Sequence, residues 1–149
     1  MIVEKTTIKL ADFTHDRDDI SSIRIQVFQL EQGVDSALEF DGFDEQAIHF
    51  LAYFDTQAVG TTRIRLLDET TAKLERLAVL PNFRKYGIGR KLMETALEFL
   101  SKRNFLIVRI HAQAAVKEFY QKLGFVAEGA IFEEAGIPHI KMSKQLQSG

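Results

Sequence analysis

Arg84-Lys85-Tyr86-Gly87-Ile88-Gly89 stands between an aliphatic run that ends at Leu80-Pro81 and a stretch of helical periodicity. Strand, glycine loop, helix is an order in which a chain builds an anion cradle. The glycines let the backbone approach a ligand closely, and the helix start presents unpaired N–H groups with roughly half a positive charge. Arg84, Lys85, Arg90 and Lys91 add side-chain charge at the same place. A diphosphate is the ligand this arrangement suits.

Working outward, Ile88, Leu92, Met93, Ala96, Leu97 and Leu100 trace one face of a helix, and Phe105 to His111 is an apolar strand. The strands flanking that helix should be parallel. Upstream, Ala47 to Phe54, Ala58 to Leu67 and Ala72 to Leu80 read as an antiparallel meander, its first turn at Asp55-Thr56-Gln57. Further back lie a strand from Glu4 to Leu10 and a helix capped around Thr14-His15-Asp16. That helix carries Ile20, Ile23, Val27 and Leu30 and ends at Gly33. Residues Val34 to Glu45 read as an irregular acidic loop. Downstream, a short helix over Ala114 to Leu123 turns inward Val116, Phe119 or Tyr120, and Leu123, and stops at Gly124. Strands over Phe125 to Phe132 and Pro138 to Ser143 follow, with a frayed tail from Gln145 to Gly149.

The chain has 149 residues, 46% of them hydrophobic, enough for one domain with a core, and it shows no repeat or linker. A formal charge of -2 provides no global field for nucleic acid or membrane, so an anion must be bound locally. Cysteine is absent, which excludes disulfides, thiolate metal sites and a cysteine nucleophile. No His or Glu pair has ligand spacing, so no metal is expected. Nothing resembles a spanning helix or a signal peptide, and the expectation is a cytoplasmic protein, with monomer and homodimer both open.

Two nucleotide folds fail the loop. A P-loop needs Gly-Lys-Ser/Thr after its glycines, whereas Arg90-Lys91 follows Gly89. A Rossmann fingerprint needs a third glycine near Leu92 and an acidic ribose partner.

The order of parts, with R-x-x-G-x-G at Arg84 to Gly89 and F-Y-x-x-x-G-F at Phe119 to Phe125, resembles the GNAT superfamily of N-acetyltransferases over nearly the whole chain. Val27-Phe28, Glu31-Gln32-Gly33-Val34, Asp41 to Asp44, His111-Ala112-Gln113 and Gly136-Ile137-Pro138-His139 narrow the resemblance to the ElaA- or YjcF-type branch. It implies a mixed α/β GNAT fold, with a mostly antiparallel sheet of about seven strands and about four helices. It also implies acetyl-CoA as co-substrate and transfer to a primary amine of a small molecule or peptide through a ternary complex. A non-catalytic acyl-CoA sensor with the same groove is the alternative, and an interaction protein that merely keeps the fold is a third.

By that resemblance, Leu77, Ala78 and Val79 hold the pantetheine arm. Lys85, Tyr86, Gly87, Ile88 and Gly89 give amides to the diphosphate, with charge from Arg84 and Arg90. Gln113 and Phe119 line the groove, Gln113 standing where many relatives carry asparagine and Val116 where they carry alanine. Tyr120 serves the departing sulfur, and also reads as a core aromatic beside Phe119.

The amine must lose a proton. A lysine-like ammonium is neutral in roughly one molecule in 2,500 at pH 7, an unfavourable term of about 4.6 kcal/mol. Glu75 is the first candidate base. In a regular strand it shares a facing with Lys73, Leu77 and Val79, and it reads equally as a surface glutamate paired with Lys73 or Arg76. His111 is the second, since an ordinary imidazole near pKa 6.5 suits proton transfer. Glu31, Glu39, Asp41 and Asp44 would edge the acceptor pocket, unless they are simply a solvated loop. His49, Glu134 and His139 would line the same mouth. Phe40, Phe43, Phe50, Phe54 and Phe132 read as an aromatic wall or as ordinary core.

Overall fold

Alternation sends Phe50 and Ala52 to one side of a strand and Leu51 to the other, so this stretch must be covered on both faces. A computed structural model, which describes residues 5–146, shows how. The elements are β1 (Thr6–Ala11), α1 (Phe13–Arg24) running on as a π-helical segment (Ile25–Glu31), α2 (Ser36–Glu39), β2 (Ile48–Phe54), β3 (Gln57–Leu66) and β4 (Thr71–Val79). They continue with α3 (Ile88–Lys102), β5 (Ile107–Gln113), α4 (Lys117–Lys122), β6 (Val126–Glu134) and β7 (Ile137–Gln145). One seven-stranded sheet has the order β1-β2-β3-β4-β5-β7-β6. Among the described strands only β4 and β5 pair in parallel, as α3 requires by crossing between them.

On one face α3 lays Ile88, Leu92, Met93, Ala96 and Leu100 over Phe50, Ile64, Leu74, Val108 and Ile110. On the other, Ile20, Ile23 and Val27 cover Leu51, Ala78 and Leu80. Gly60 allows the first layer to close, since a Cβ there would meet Leu92 Cδ1 at 3.0 Å.

Several expected details shift. Asp12, not the Thr14 region, caps α1, its carboxylate accepting from the Thr14 amide at 3.0 Å. The acidic segment holds α2 and a single turn at Asp44–Gln46. Gln145 ends β7 and the Leu146 amide bonds Leu106 O at 2.8 Å, so the start of the tail is fixed. Glu4 and residues 147–149 lie outside the described residues.

The β3–β4 register carries the largest departure. Thr61 faces Ala78 but Arg63 faces Glu75, so β4 holds one extra residue, and Arg76 takes φ +58°. The bulge reverses the facing of every later side chain. Lys73 and Glu75 point to one face, while Leu77 and Val79 pack with the α3 cluster on the other. The shared facing expected for Glu75, Leu77 and Val79 is thereby corrected.

Candidate active site

The parallel ladder between β4 and β5 runs from Thr71/Ile107 to Lys73/Arg109 and goes no further. Beyond it, residues of β4 after Leu74 and of β5 after Ile110 line opposite walls of a groove of about 980 Å³. Leu77, Ala78 and Val79 form one wall, and Gln113, Phe119 and Tyr120 belong to the other. An unpaired inner edge leaves main-chain groups available to an extended ligand.

At one end of the groove stands the start of α3. Gly87 is the N-cap at φ +80° and offers no side-chain cap, and Lys91 N donates to Gly87 O at 3.0 Å. The amides of Ile88, Gly89 and Arg90 therefore point out of the helix with no partner among the described residues. A Cβ on Gly89 would lie 3.7 Å from the Phe119 ring and 3.8 Å from Val79 Cγ2, inside the groove wall. Tyr86 is exposed and off the wall.

The side-chain charge differs from expectation. The Arg84 guanidinium is held at Glu31 by two bonds of 2.7 and 2.6 Å, and its Nε donates to Val79 O at 2.9 Å. Arg90 pairs with Glu94, and Lys91 Nζ reaches Thr6 O at 2.7 Å. Lys85 lines the groove at φ +71°. Glu31 is thus Arg84's anchor, drawn below the usual carboxylate range mainly by that hydrogen bond, and it is absent from the groove lining.

Tyr120 lies across the groove, edge-on to Phe119 at 5.0 Å and Phe125 at 6.0 Å. Its hydroxyl has no hydrogen-bond partner among the described residues, and burial pushes its pKa up to about 12. It is a donor at any physiological pH.

Three predicted side chains converge on the same cavity from β5, β6 and β7. His111 Nδ1 donates to Glu134 Oε1 at 2.8 Å, and His139 Nε2 lies 3.9 Å from Glu134 Oε2. His139 Nδ1 donates in turn to Ile137 O. Burial opposes the charge on Glu134, and the two histidines and Lys73 outweigh it, so its pKa falls. With Nδ1 committed to the carboxylate, the free lone pair of a neutral His111 is on Nε2. Phe132 packs edge-on to His111 at 5.2 Å.

Glu75 lines the groove too, but its carboxylate is surrounded by cations. Arg63 lies at 2.8 Å, Arg65 at 2.7 Å and Lys73 at 3.5 Å. The acidic segment is equally committed. Glu39 is fully buried against Arg24, Asp44 bonds Arg24 at 2.6 Å and Arg63 at 2.9 Å, and Asp41 bonds Arg63 at 2.8 Å and Arg76 at 3.2 Å. Glu39 and Asp41 still reach the groove lining, but as members of a balanced network and not as a free acidic cup. His49 does not reach it. Burial holds its pKa down, its Nε2 donates to Asp44 O at 2.8 Å, and its ring stacks on Phe13 at 4.8 Å. Of Phe40, Phe43, Phe50, Phe54 and Phe132, only Phe43 lines the groove, its ring 4.1 Å from the Arg65 guanidinium.

Sequence reasoning missed Arg24 and Arg63, which organise this network. A signal existed: Arg24 follows Ile23 on the stripe of Ile20 and Val27, so a cation on a buried face called for carboxylates nearby.

A model of the GNAT acetyltransferase domain matches residues 16–146. The uncharacterized protein YyaT of Bacillus subtilis is 40% identical over 134 residues, covering 88% of this chain and 90% of YyaT. The B. subtilis N-acetyltransferase YjcF, also uncharacterized, is 32% identical over 127 residues, covering 85% of this chain and 90% of its own. The crystal structure of Escherichia coli ElaA superposes with a TM-score of 0.84 at 26% identity, over 93% of this chain and 99% of ElaA.

Proposed function

The chain belongs to the GNAT acetyltransferase family, and on that premise we propose that it moves an acetyl group from acetyl-CoA to the primary amine of a small molecule or peptide. The observation that carries the reading is the broken β4–β5 ladder, whose open edge leads to the uncapped start of α3 and passes Tyr120. Those are the groups a pantetheine arm, a diphosphate and a thioester sulfur require, in that order.

Leu77 to Val79 would hold the arm, and the amides of Ile88, Gly89 and Arg90, with Lys85, the diphosphate. Acetyl-CoA supplies an activated acyl carbon when bound. His111 takes the amine's proton at Nε2, and Glu134 orients the ring and stabilises the imidazolium. Glu75 holds Arg63, Arg65 and Lys73 in place, so the first-ranked base gives way to the second. Tyr120 donates a hydrogen bond to the departing sulfur. A full transfer from a phenol near 12 to a thiolate near 8.5 would be uphill by about 5 kcal/mol, so hydrogen bonding precedes any proton loss. A cysteine-free chain accords with a cytoplasmic place of action.

Calorimetry with coenzyme A, followed by a thiol-release assay over a panel of amines, tests the reading. Binding with release supports the enzyme, and binding without release against every acceptor would leave an acyl-CoA sensor. Absence of binding would overturn both. His111→Gln and Glu134→Gln should lower turnover by about 100-fold or more while coenzyme A binding persists.

A further inference from the structure

Next to the acceptor end of the groove, on the sheet face opposite α3, lies a second cavity of about 380 Å³. Arg65, Lys73, Ile110 and His111 line both cavities, so the two are continuous around the proposed base. The register explains the lining. Arg65 stands directly opposite Lys73, Lys73 opposite Arg109, and His111 opposite Lys141, which puts four cations on one face of β3, β4, β5 and β7.

Like charges directly opposite one another destabilise a sheet. Arg65 and Lys73 share the single carboxylate of Glu75. Arg109 and Lys141 are exposed and have no ion pair among the described residues. Glu128 is the one carboxylate in the lining; it stands opposite Lys141 in the β6–β7 register without pairing with it, and its Oε1 accepts from the Ser143 hydroxyl. Arg109 and Lys141 are therefore the two cations of this lining that no carboxylate pairs among the described residues. The stripe contributes nothing to the core, and it stands where an acceptor held for attack at His111 would extend.

We propose that this cavity is an oxyanion subsite and that the acceptor is an amine carrying a carboxylate or phosphate, gripped by Arg109 and Lys141 with Lys73 while its amine faces His111. The subsite names the acceptor class for the reaction proposed above and rests on that reading for its catalytic use, but oxyanion binding there does not depend on turnover. The acidic segment expected to edge the acceptor pocket offers no such grip, because its carboxylates are already paired with arginines.

The test pairs acceptors that differ only in the anion: ω-amino acids of increasing length against their methyl esters, and O-phosphoethanolamine against ethanolamine. At saturating acetyl-CoA, kcat/KM should favour the anionic member of at least one pair by about 10- to 100-fold, and the pair that responds tells carboxylate from phosphate. Arg109→Gln and Lys141→Gln should each reduce that preference about tenfold or more, with unfolding midpoints reported to exclude misfolding. Separately, inorganic phosphate is titrated calorimetrically with coenzyme A filling the cradle, and the heat should weaken in both variants. Equal use of paired acceptors by the parent, or phosphate binding indifferent to both substitutions, would overturn the subsite. Should no amine be acetylated while phosphate binding still depends on Arg109 and Lys141, the subsite stands and the assigned reaction fails.

Discussion

The Tyr120 hydroxyl, without a partner among the described residues, and Gly89, whose missing Cβ borders the groove, are the two residues on which the proposed reaction turns. Tyr120→Phe removes only the bond to the leaving sulfur. Coenzyme A affinity should stay within a factor of about two, and kcat should fall about 10- to 100-fold, the worth of one hydrogen bond to a developing charge. Steady-state kinetics beside calorimetry checks this, and unaltered kcat would remove Tyr120 from the mechanism. Gly89→Ala separates fold from binding more cleanly than any change at Gly87, whose φ of +80° would add strain. The new methyl meets only ordinary contacts and improves helix propensity by up to about 1 kcal/mol, so thermal stability should hold or rise. Its position between Phe119 and Val79 should still weaken coenzyme A binding about tenfold or more, as measured by titration. Both residues were legible in the sequence because motif and spacing mark them. The company Arg84 keeps was not, since Glu31 lies 53 residues away along the chain.

At the scale of elements, single backbone irregularities decide geometry. The extra residue at Arg76 sends Leu77 and Val79 to the groove side, and the end of the β4–β5 ladder three residues earlier, at Lys73, opens the space they face. Period-two alternation places Glu75 with Leu77, because nothing in the residue types announces a bulge filled by arginine. The β6–β7 hairpin turns through Ala135 at φ +53° and Gly136 at φ +75°, a pair of left-handed positions suited to Asn-Gly. Alanine bears a Cβ penalty there. Ala135→Asn should therefore stabilise the chain by about 0.5–1 kcal/mol, read from urea midpoints at constant m-value. No gain would show that the turn is not held in this conformation.

For the molecule as a whole, the buried ion network ties α1, the acidic segment, β3 and β4 into one body behind the groove. Arg63 is fully buried and touches Asp41, Asp44 and Glu75. Arg63→Met leaves three carboxylates without their shared partner and should cost about 3–5 kcal/mol in chemical unfolding, far more than a surface pair. The same network sets a pH dependence. Burial opposes ionisation of Asp41 and Asp44, but hydrogen bonds and charge from Arg63, Arg76 and Arg24 outweigh it and hold both carboxyls below the usual range. A group with a lowered folded pKa stabilises fully above its unfolded value, about 3.9, and loses that contribution as pH falls through the folded value. Urea midpoints should therefore drop on acidification from pH 5 to pH 3, and the drop should be shallower in Asp41→Asn. Sequence alone determined the order of the strands and of the longer helices, the buried face of α3 and the Ile20, Ile23 and Val27 stripe of α1, and it marked the glycine loop and Tyr120 as candidates, since each is written in local periodicity or in a short motif. Tertiary structure decided which charges are free. Ion pairs form between residues brought together by strand register and helix packing, so only the folded chain could show the acidic segment neutralised, His49 buried away from the groove, and His111 joined to Glu134 near Arg109 and Lys141, which have no ion pair among the described residues.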